Sequence, residues 1–204
     1  MLKIETVVCG LLEENAYIVS SGAESGVVVI DPGDDYAALV CAIAGRKIEA
    51  LCLTHAHFDH MLAAPGLIAD TRAPLYAARQ DLPALNDARL NLYNPSLSRL
   101  NAPGGLRATA YGETLRAAGV EFEILATPGH TPGGVCLYAR AEGALFSGDT
   151  LFRAGYGRVD FPGSNPQQMR ASLQKLFALP GDTRVYPGHG EETTIARERA
   201  RYQL

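Results

Sequence analysis

Every histidine of this 204-residue chain falls in one of three short motifs, each following an apolar, strand-like run. Three lie in Thr54-His55-Ala56-His57-Phe58-Asp59-His60, the fourth in Thr127-Pro128-Gly129-His130-Thr131-Pro132-Gly133, and the fifth in Tyr186-Pro187-Gly188-His189-Gly190. Imidazole is a strong zinc ligand and largely neutral near pH 7. Concentrating all five in Gly/Pro-rich turns, beside Asp59 and Asp149, places the chain's metal-binding capacity where strand ends can converge. The fold must bring these distant turns together, and the chain is expected to bind metal.

The spacing of apolar residues supports such a fold. Residues 4–9, 16–20 and 27–30 read as strands, and Asp31-Pro32-Gly33 as a turn. Residues 35–44 carry helical periodicity with Tyr36, Leu39, Val40 and Ile43 on one face. A strand over 48–53 runs into the first histidine motif. Residues 59–70 predict a helix interrupted at Pro65-Gly66, 74–77 a strand, and 79–90 a second helix. The stretch 91–105 is rich in Asn, Pro, Ser and Gly without period, and loops of this length are usually functional. Strands are expected again at 120–126, 135–138, 144–146 and 183–186. Helices are expected at 166–179 and 192–201, with Arg197 to Arg201 as a solvated face. Strands in blocks with helices between them predict sheets covered by helices. No linker divides the chain, so residues 1–204 are expected to form one domain.

Composition narrows the function. Hydrophobic residues at 47% and charged residues at 20% suit a soluble globular protein, and the net charge of −4 argues against a nucleic-acid partner. No apolar stretch reaches the roughly 20 residues that cross a bilayer, so no membrane partner is expected. Lys3 and Glu5 follow Met1 at once, which leaves no basic-then-apolar leader and predicts a cytoplasmic protein. Cys9, Cys41, Cys52 and Cys136 lack paired spacing and read as small buried hydrophobes in a reducing compartment.

The chemistry follows from the spacing. In extended chain His55 and His57 point to the same side and can grip one ion. Asp59 and His60 turn away at a helix start and offer a second pair of ligands. His130 can complete the first site, His189 the second, and Asp149 can bridge them. A bridging carboxylate would hold two ions about 3.5–4 Å apart, and metal lowers the pKa of bound water from 15.7 to roughly 7. Imidazole and carboxylate serve zinc, iron and manganese alike; two divalent ions are expected, zinc first among them.

These motifs, with Asn15-Ala16-Tyr17 and Asp31-Pro32-Gly33, resemble the metallo-β-lactamase superfamily and within it the glyoxalase II-like hydrolases. The resemblance implies an α/β fold, a four-layer αββα sandwich with metals at one edge between the sheets. It implies that His55, His57 and His130 hold one ion, that Asp59, His60 and His189 hold the other, and that Asp149 bridges. Asp59 and His60 would serve catalysis through the second ion. Asp31, Gly33, Gly129 and Gly148 would be structural or would orient the ligands. The implied reaction is hydrolysis of a small-molecule thioester such as S-lactoylglutathione by hydroxide attack on the acyl carbonyl. Arg158, in Gly155-Tyr156-Gly157-Arg158-Val159-Asp160-Phe161, matches a basic residue that contacts glutathione in glyoxalase II, and Tyr156 is a second substrate-contact candidate. Glyoxalase II carries a further helical segment around its glutathione pocket, which has no counterpart before Leu204; the 91–105 loop could supply that wall. A mononuclear-iron glutathione persulfide dioxygenase and a lactonase of the same superfamily are the alternatives, with a β-lactamase less expected because His60 follows Asp59.

Overall fold

The computed structural model describes residues 2–22 and 26–202. Its twelve strands are β1 (Lys3–Cys9), β2 (Glu14–Ser20), β3 (Val27–Ile30), β4 (Ile48–Cys52), β5 (Leu75–Ala77), β6 (Thr109–Ala110), β7 (Thr114–Ala117), β8 (Val120–Ala126), β9 (Val135–Ala139), β10 (Ala144–Gly148), β11 (Arg184–Pro187) and β12 (Thr193–Thr194). Four α-helices accompany them: α1 (Tyr36–Ile43), α2 (Ala64–Thr71), α3 (Pro166–Phe177) and α4 (Ile195–Arg199). One sheet runs in the order β1-β2-β3-β4-β5-β6 and the other β12-β11-β10-β9-β8-β7. Ala118-Gly119 turns β7 into its antiparallel neighbour β8, whereas the parallel pairs β3-β4, β4-β5 and β10-β11 are linked across α1, α2 and α3, as parallel strands require a crossover.

Alternation along the strands explains the layering. Val27, Val29 and Leu51 face a core shared with Leu39 and Ile43 of α1 and Leu67 of α2. Their neighbours Val28, Ile30, Ala50 and Cys52 turn the other way, onto Phe122, Leu137 and Phe146 of the second sheet. The outer face of that sheet, through Cys136, Tyr138, Leu145 and Val185, packs on Met169, Leu173 and Leu176 of α3 and on Ile195 of α4. Helix, sheet, sheet and helix therefore form the expected four-layer sandwich. Central strands buried on both faces read as continuous apolar runs for this reason. Asp35 caps α1 by accepting from the Ala38 amide at 3.1 Å, and Asn165 caps α3 ahead of Pro166.

Several expectations are corrected. Val40 lies 43% exposed, because only the narrower stripe of Leu39 and Ile43 is buried on the eight-residue α1. The helix expected over 79–90 is a 3-10 segment, Arg79–Asn86, with Pro83 inside it and Asp81 turned inward. Pro65 opens α2 in its first turn, after a 3-10 turn at Phe58–His60. Residues 192–201 divide into β12 and the short α4, and Glu198 is fully buried instead of solvated. It accepts from Thr193 Oγ1 at 2.6 Å and from the Ala154 amide at 2.9 Å. Cys41 is exposed, while Cys9, Cys52 and Cys136 are buried and free. The short strands β6 and β7 fall where the sequence has no apolar run. Among the described residues no helix is long and apolar enough to cross a membrane.

Phe146 is fully buried between the sheets, its ring centroid 5.2 Å from those of both Tyr17 and Tyr186. Phe146→Ala is expected to cost about 3–5 kcal/mol of unfolding free energy in urea denaturation. Val40→Ser, on the exposed side of α1, should change stability by no more than about 0.5 kcal/mol.

Candidate metal centre

The histidine motifs leave the ends of β4, β8 and β11, and Asp149 follows β10 directly. The cross-sheet core thus delivers all seven candidate ligands to one edge. Extended backbone at His57 (φ −75°, ψ 151°) keeps it on the side of His55, their ring centroids 4.8 Å apart. The 3-10 turn at Phe58–His60 then reverses direction and carries Asp59 and His60 to a second cluster. Gly148 makes the turn into Asp149 at a φ of 47°, with Thr54 packed where a Cβ would stand. Gly188 lets the His189 loop approach the Asp149 carboxylate and the His60 ring more closely than any side chain would allow.

Two groups of ligand atoms result. One atom each from His55, His57 and His130 lies within 4.8 Å of the others, as do atoms of Asp59, His60 and His189. His57 Nδ1 and His130 Nε2 stand 2.9 Å apart. Asp149 lies between the groups: its Oδ2 is 3.4 Å from His130 Nε2, and its Oδ1 is 3.5 Å from His60 Nε2 and 3.8 Å from His189 Nε2. Asp59 Oδ2 is 3.4 Å from His189 Nε2 and 3.7 Å from His60 Nε2. The seven residues expected from the sequence are all brought together, with one carboxylate oriented toward both groups.

The far side of four of the five rings fixes which nitrogen is free. His130 Nδ1 meets the Arg158 carbonyl at 2.7 Å and His189 Nδ1 the Leu12 carbonyl at 3.1 Å. A carbonyl only accepts, so both Nδ1 atoms carry the proton and both Nε2 lone pairs face the centre. Thr54 Oγ1 donates to Asp31 Oδ2 at 2.6 Å, which leaves it to accept from His55 Nδ1 at 3.1 Å. Asp31 Oδ2 also accepts from His60 Nδ1 at 3.1 Å. Burial, reinforced by neighbouring imidazoles, pushes the His55 pKa well down and brings that of His57 to about 3. Burial also acts to lower His60, but Asp59, Asp149 and Asp31 overcome it and raise it to about 10. The His55 and His57 rings are thus neutral donors, while the carboxylates draw positive charge to His60. Asp59 is held well below the usual carboxylate range by His60 and His189, against its burial.

This set fits metal. His55 Nε2, His60 Nε2 and Asp149 Oδ1 are buried without a hydrogen-bond partner among the described residues. Each such group costs about 1–3 kcal/mol when left unsatisfied. Lone pairs and carboxylates aimed at shared points are satisfied by cations. Two Asp and five His suit divalent zinc, iron or manganese.

Sequence reasoning missed the residues that hold this arrangement from behind. Asp81 accepts from the Ala56 amide at 3.1 Å, Thr131 Oγ1 at 2.8 Å and the Gly133 amide at 2.6 Å, and so ties the first two histidine loops together. Asn15 Nδ2 donates to the Pro187 and Gly190 carbonyls, and the Tyr17 hydroxyl donates to Pro187 at 2.6 Å, pinning the third loop. Glu14, fully buried at the start of β2, has an Oε1 3.7 Å from His60 Nδ1 and no hydrogen-bond partner among the described residues. Burial, then the nearby Cys9 and Asp31, raises its pKa well above the carboxylate range. Nothing in the sequence distinguished these acids from solvated ones; Asn15 and Tyr17 were visible as a motif.

The centre opens into a cleft of about 460 Å³ lined in part by Tyr156, Arg158, Phe161 and Phe152. Leu92, Asn94 and Leu97 of the irregular loop form another wall. Both expected substrate-contact residues therefore reach the cleft. The Arg158 guanidinium, however, makes two bonds to Asp160, at 2.9 and 2.8 Å, and lies 4.2 Å from the centre of the Phe161 ring.

Asp31 has a φ of 50°, in the left-handed region that asparagine also tolerates. Asp31→Asn should therefore fold but hold His60 less firmly. Its zinc affinity, measured by chelator competition, is expected to fall about 10–100-fold with an unchanged circular dichroism spectrum.

Comparison with known proteins agrees with this geometry. The family model of the metallo-β-lactamase superfamily matches residues 9–189. The chain is 40% identical over 188 residues to the hydroxyacylglutathione hydrolase of Xanthomonas campestris pv. campestris (strain B100), covering 90% of this chain but 63% of that protein. Among solved structures it is similar to TTHA1623 in a di-iron-bound form (TM-score 0.84, 40% identity, 96% of each chain covered). It is also similar to the BLEG-1 B3 metallo-β-lactamase (TM-score 0.89, 32% identity, 98% of this chain and 97% of that one). The two-sheet sandwich, the clustered ligands at its edge and the family match together place this chain in the metallo-β-lactamase superfamily.

Proposed function

We propose that the protein is a metal-dependent hydrolase of acyl thioesters. The observation that carries this reading is the Asp149 carboxylate set between the two ligand groups at the floor of an accessible cleft. His55, His57 and His130 would hold one divalent ion, Asp59, His60 and His189 the other, and Asp149 both. Ions bound there supply a water nucleophile at neutral pH and Lewis-acid stabilisation of the oxyanion.

The protein's own groups do the remaining work. Thr54, Asp31 and the carbonyls of Arg158 and Leu12 fix the histidine tautomers. Asp59 and His60 serve catalysis as members of the second group, and Tyr156 and Arg158 shape the substrate wall. Among the described residues lining the cleft, the titratable groups are the candidate ligands, Arg158, which is ion-paired with Asp160, and the Tyr156 phenol. A thiolate leaving group, with a conjugate acid of pKa about 8.5, leaves without a strong general acid. The 40% identity to a hydroxyacylglutathione hydrolase supports thioester chemistry, although this chain spans less than two thirds of that protein. Zinc is the first candidate metal, and the di-iron relative makes iron the next.

Hydrolysis of a thioester panel that includes S-lactoylglutathione tests the proposal, read as loss of thioester absorbance with zinc-loaded and iron-loaded protein. Turnover is expected. His57→Ala should lower kcat/KM by more than about a hundredfold, beyond the loss from a group that only orients a ligand. Absence of thioester hydrolysis would overturn this reading, and oxygen uptake with a glutathione persulfide on one iron per chain would replace it with the dioxygenase.

A further inference from the structure

The cleft above the centre has walls that suit an apolar ligand. Leu12, Leu92, Leu97, Phe152, Tyr156 and Phe161 line it, and Leu12, Leu97 and Tyr156 remain 37%, 41% and 46% exposed. Large apolar side chains left open around a concave site mark a surface that a ligand covers.

Leu92 provides an independent observation. Its φ of 61° lies in the left-handed region, a strained conformation for leucine. Its neighbours hold it there. The buried Asn91 accepts from the Phe58 amide through its carbonyl at 2.9 Å, accepts from the Tyr93 amide at 3.0 Å, and donates to the Ala84 carbonyl at 2.9 Å. The clamp that strains Leu92 thus also fixes Phe58, the residue before Asp59, so wall and centre are built as one piece.

Charge points the same way. A glutathione conjugate brings two free carboxylates, which need cations. Among the described lining residues, Arg158 is the one cation apart from the candidate ligand histidines, and Asp160 occupies its fork. Its guanidinium lies over the Phe161 ring, with Nε and Nη2 committed to Asp160.

We propose that this cleft binds an apolar acyl group, aryl or medium-length alkyl, and that the preferred thioesters carry such a group instead of a hydroxyacyl-glutathione. The inference rests on the hydrolase reading for its reaction and on the cleft alone for its ligand. Two measurements on the zinc-loaded full chain keep these apart. Calorimetry compares 4-phenylbutyrate, acetate and S-methylglutathione as ligands. Kinetics compares acetyl, hexanoyl and phenylacetyl thioesters of one neutral thiol with S-lactoylglutathione.

4-Phenylbutyrate is expected to bind about tenfold or more tightly than either other ligand, and kcat/KM should rise about tenfold or more from acetyl to hexanoyl or phenylacetyl. Leu92→Gly relieves the backbone while removing wall, so both preferences should fall about threefold or more at unchanged zinc stoichiometry. Turnover with a flat acyl series, or tighter binding of S-methylglutathione, overturns the apolar pocket and leaves the hydrolase standing. A binding preference without turnover of any thioester supports the pocket and overturns the hydrolase.

Discussion

The structure depends on a cluster of buried lone pairs aimed at one another without enough protons to go between them. His57 Nδ1 faces His130 Nε2 at 2.9 Å, and the unpartnered Nε2 atoms of His55 and His60 lie beside the unpartnered Oδ1 of Asp149. In a low-dielectric interior such an arrangement is repulsive unless positive charge fills it. The neutral His55 and His57 and the proton-attracting His60 are two responses to the same burial: neighbouring imidazoles reinforce the loss of the proton at His55 and His57, whereas Asp59, Asp149 and Asp31 overcome it at His60. Divalent cations relieve both halves of the conflict.

The rest of the fold holds these atoms in place. Strands buried on both faces supply rigid roots, and their ends at one edge carry the ligand turns. Long-range hydrogen bonds then join the turns into a single body: Asp81 ties the first two histidine loops, and Asn15 and Tyr17 tie the third to β2. The backbone carbonyls of Arg158 and Leu12 orient ligand rings while their side chains line the cleft. Substrate wall and candidate-ligand geometry therefore share a backbone at Arg158 and Leu12.

The candidate ligands were legible in the sequence because their chemistry is type-specific. Histidine beside glycine and proline, at the ends of apolar runs, has few other readings. The central strands were legible for the same local reason, since Val27–Ile30 is a continuous apolar run buried on both sides. Glu14 and Asp81 were hidden because an acid among mixed neighbours looks solvated until distant loops close over it. The helix expected over 79–90 failed where Pro83 and the three long-range bonds to Asp81 outweighed local periodicity. Glu198 sat in a charged run, yet Thr193 and the Ala154 amide take it into the interior. Arg158 lines the cleft, but its commitment to Asp160 is a feature of the folded loop.

Anomalous diffraction from crystals of the zinc-loaded protein tests the central claim most directly. The account predicts two peaks about 3.5–4 Å apart, one among His55, His57 and His130 and one among Asp59, His60 and His189, with Asp149 touching both. A single peak, or ions bound away from these residues, would contradict it.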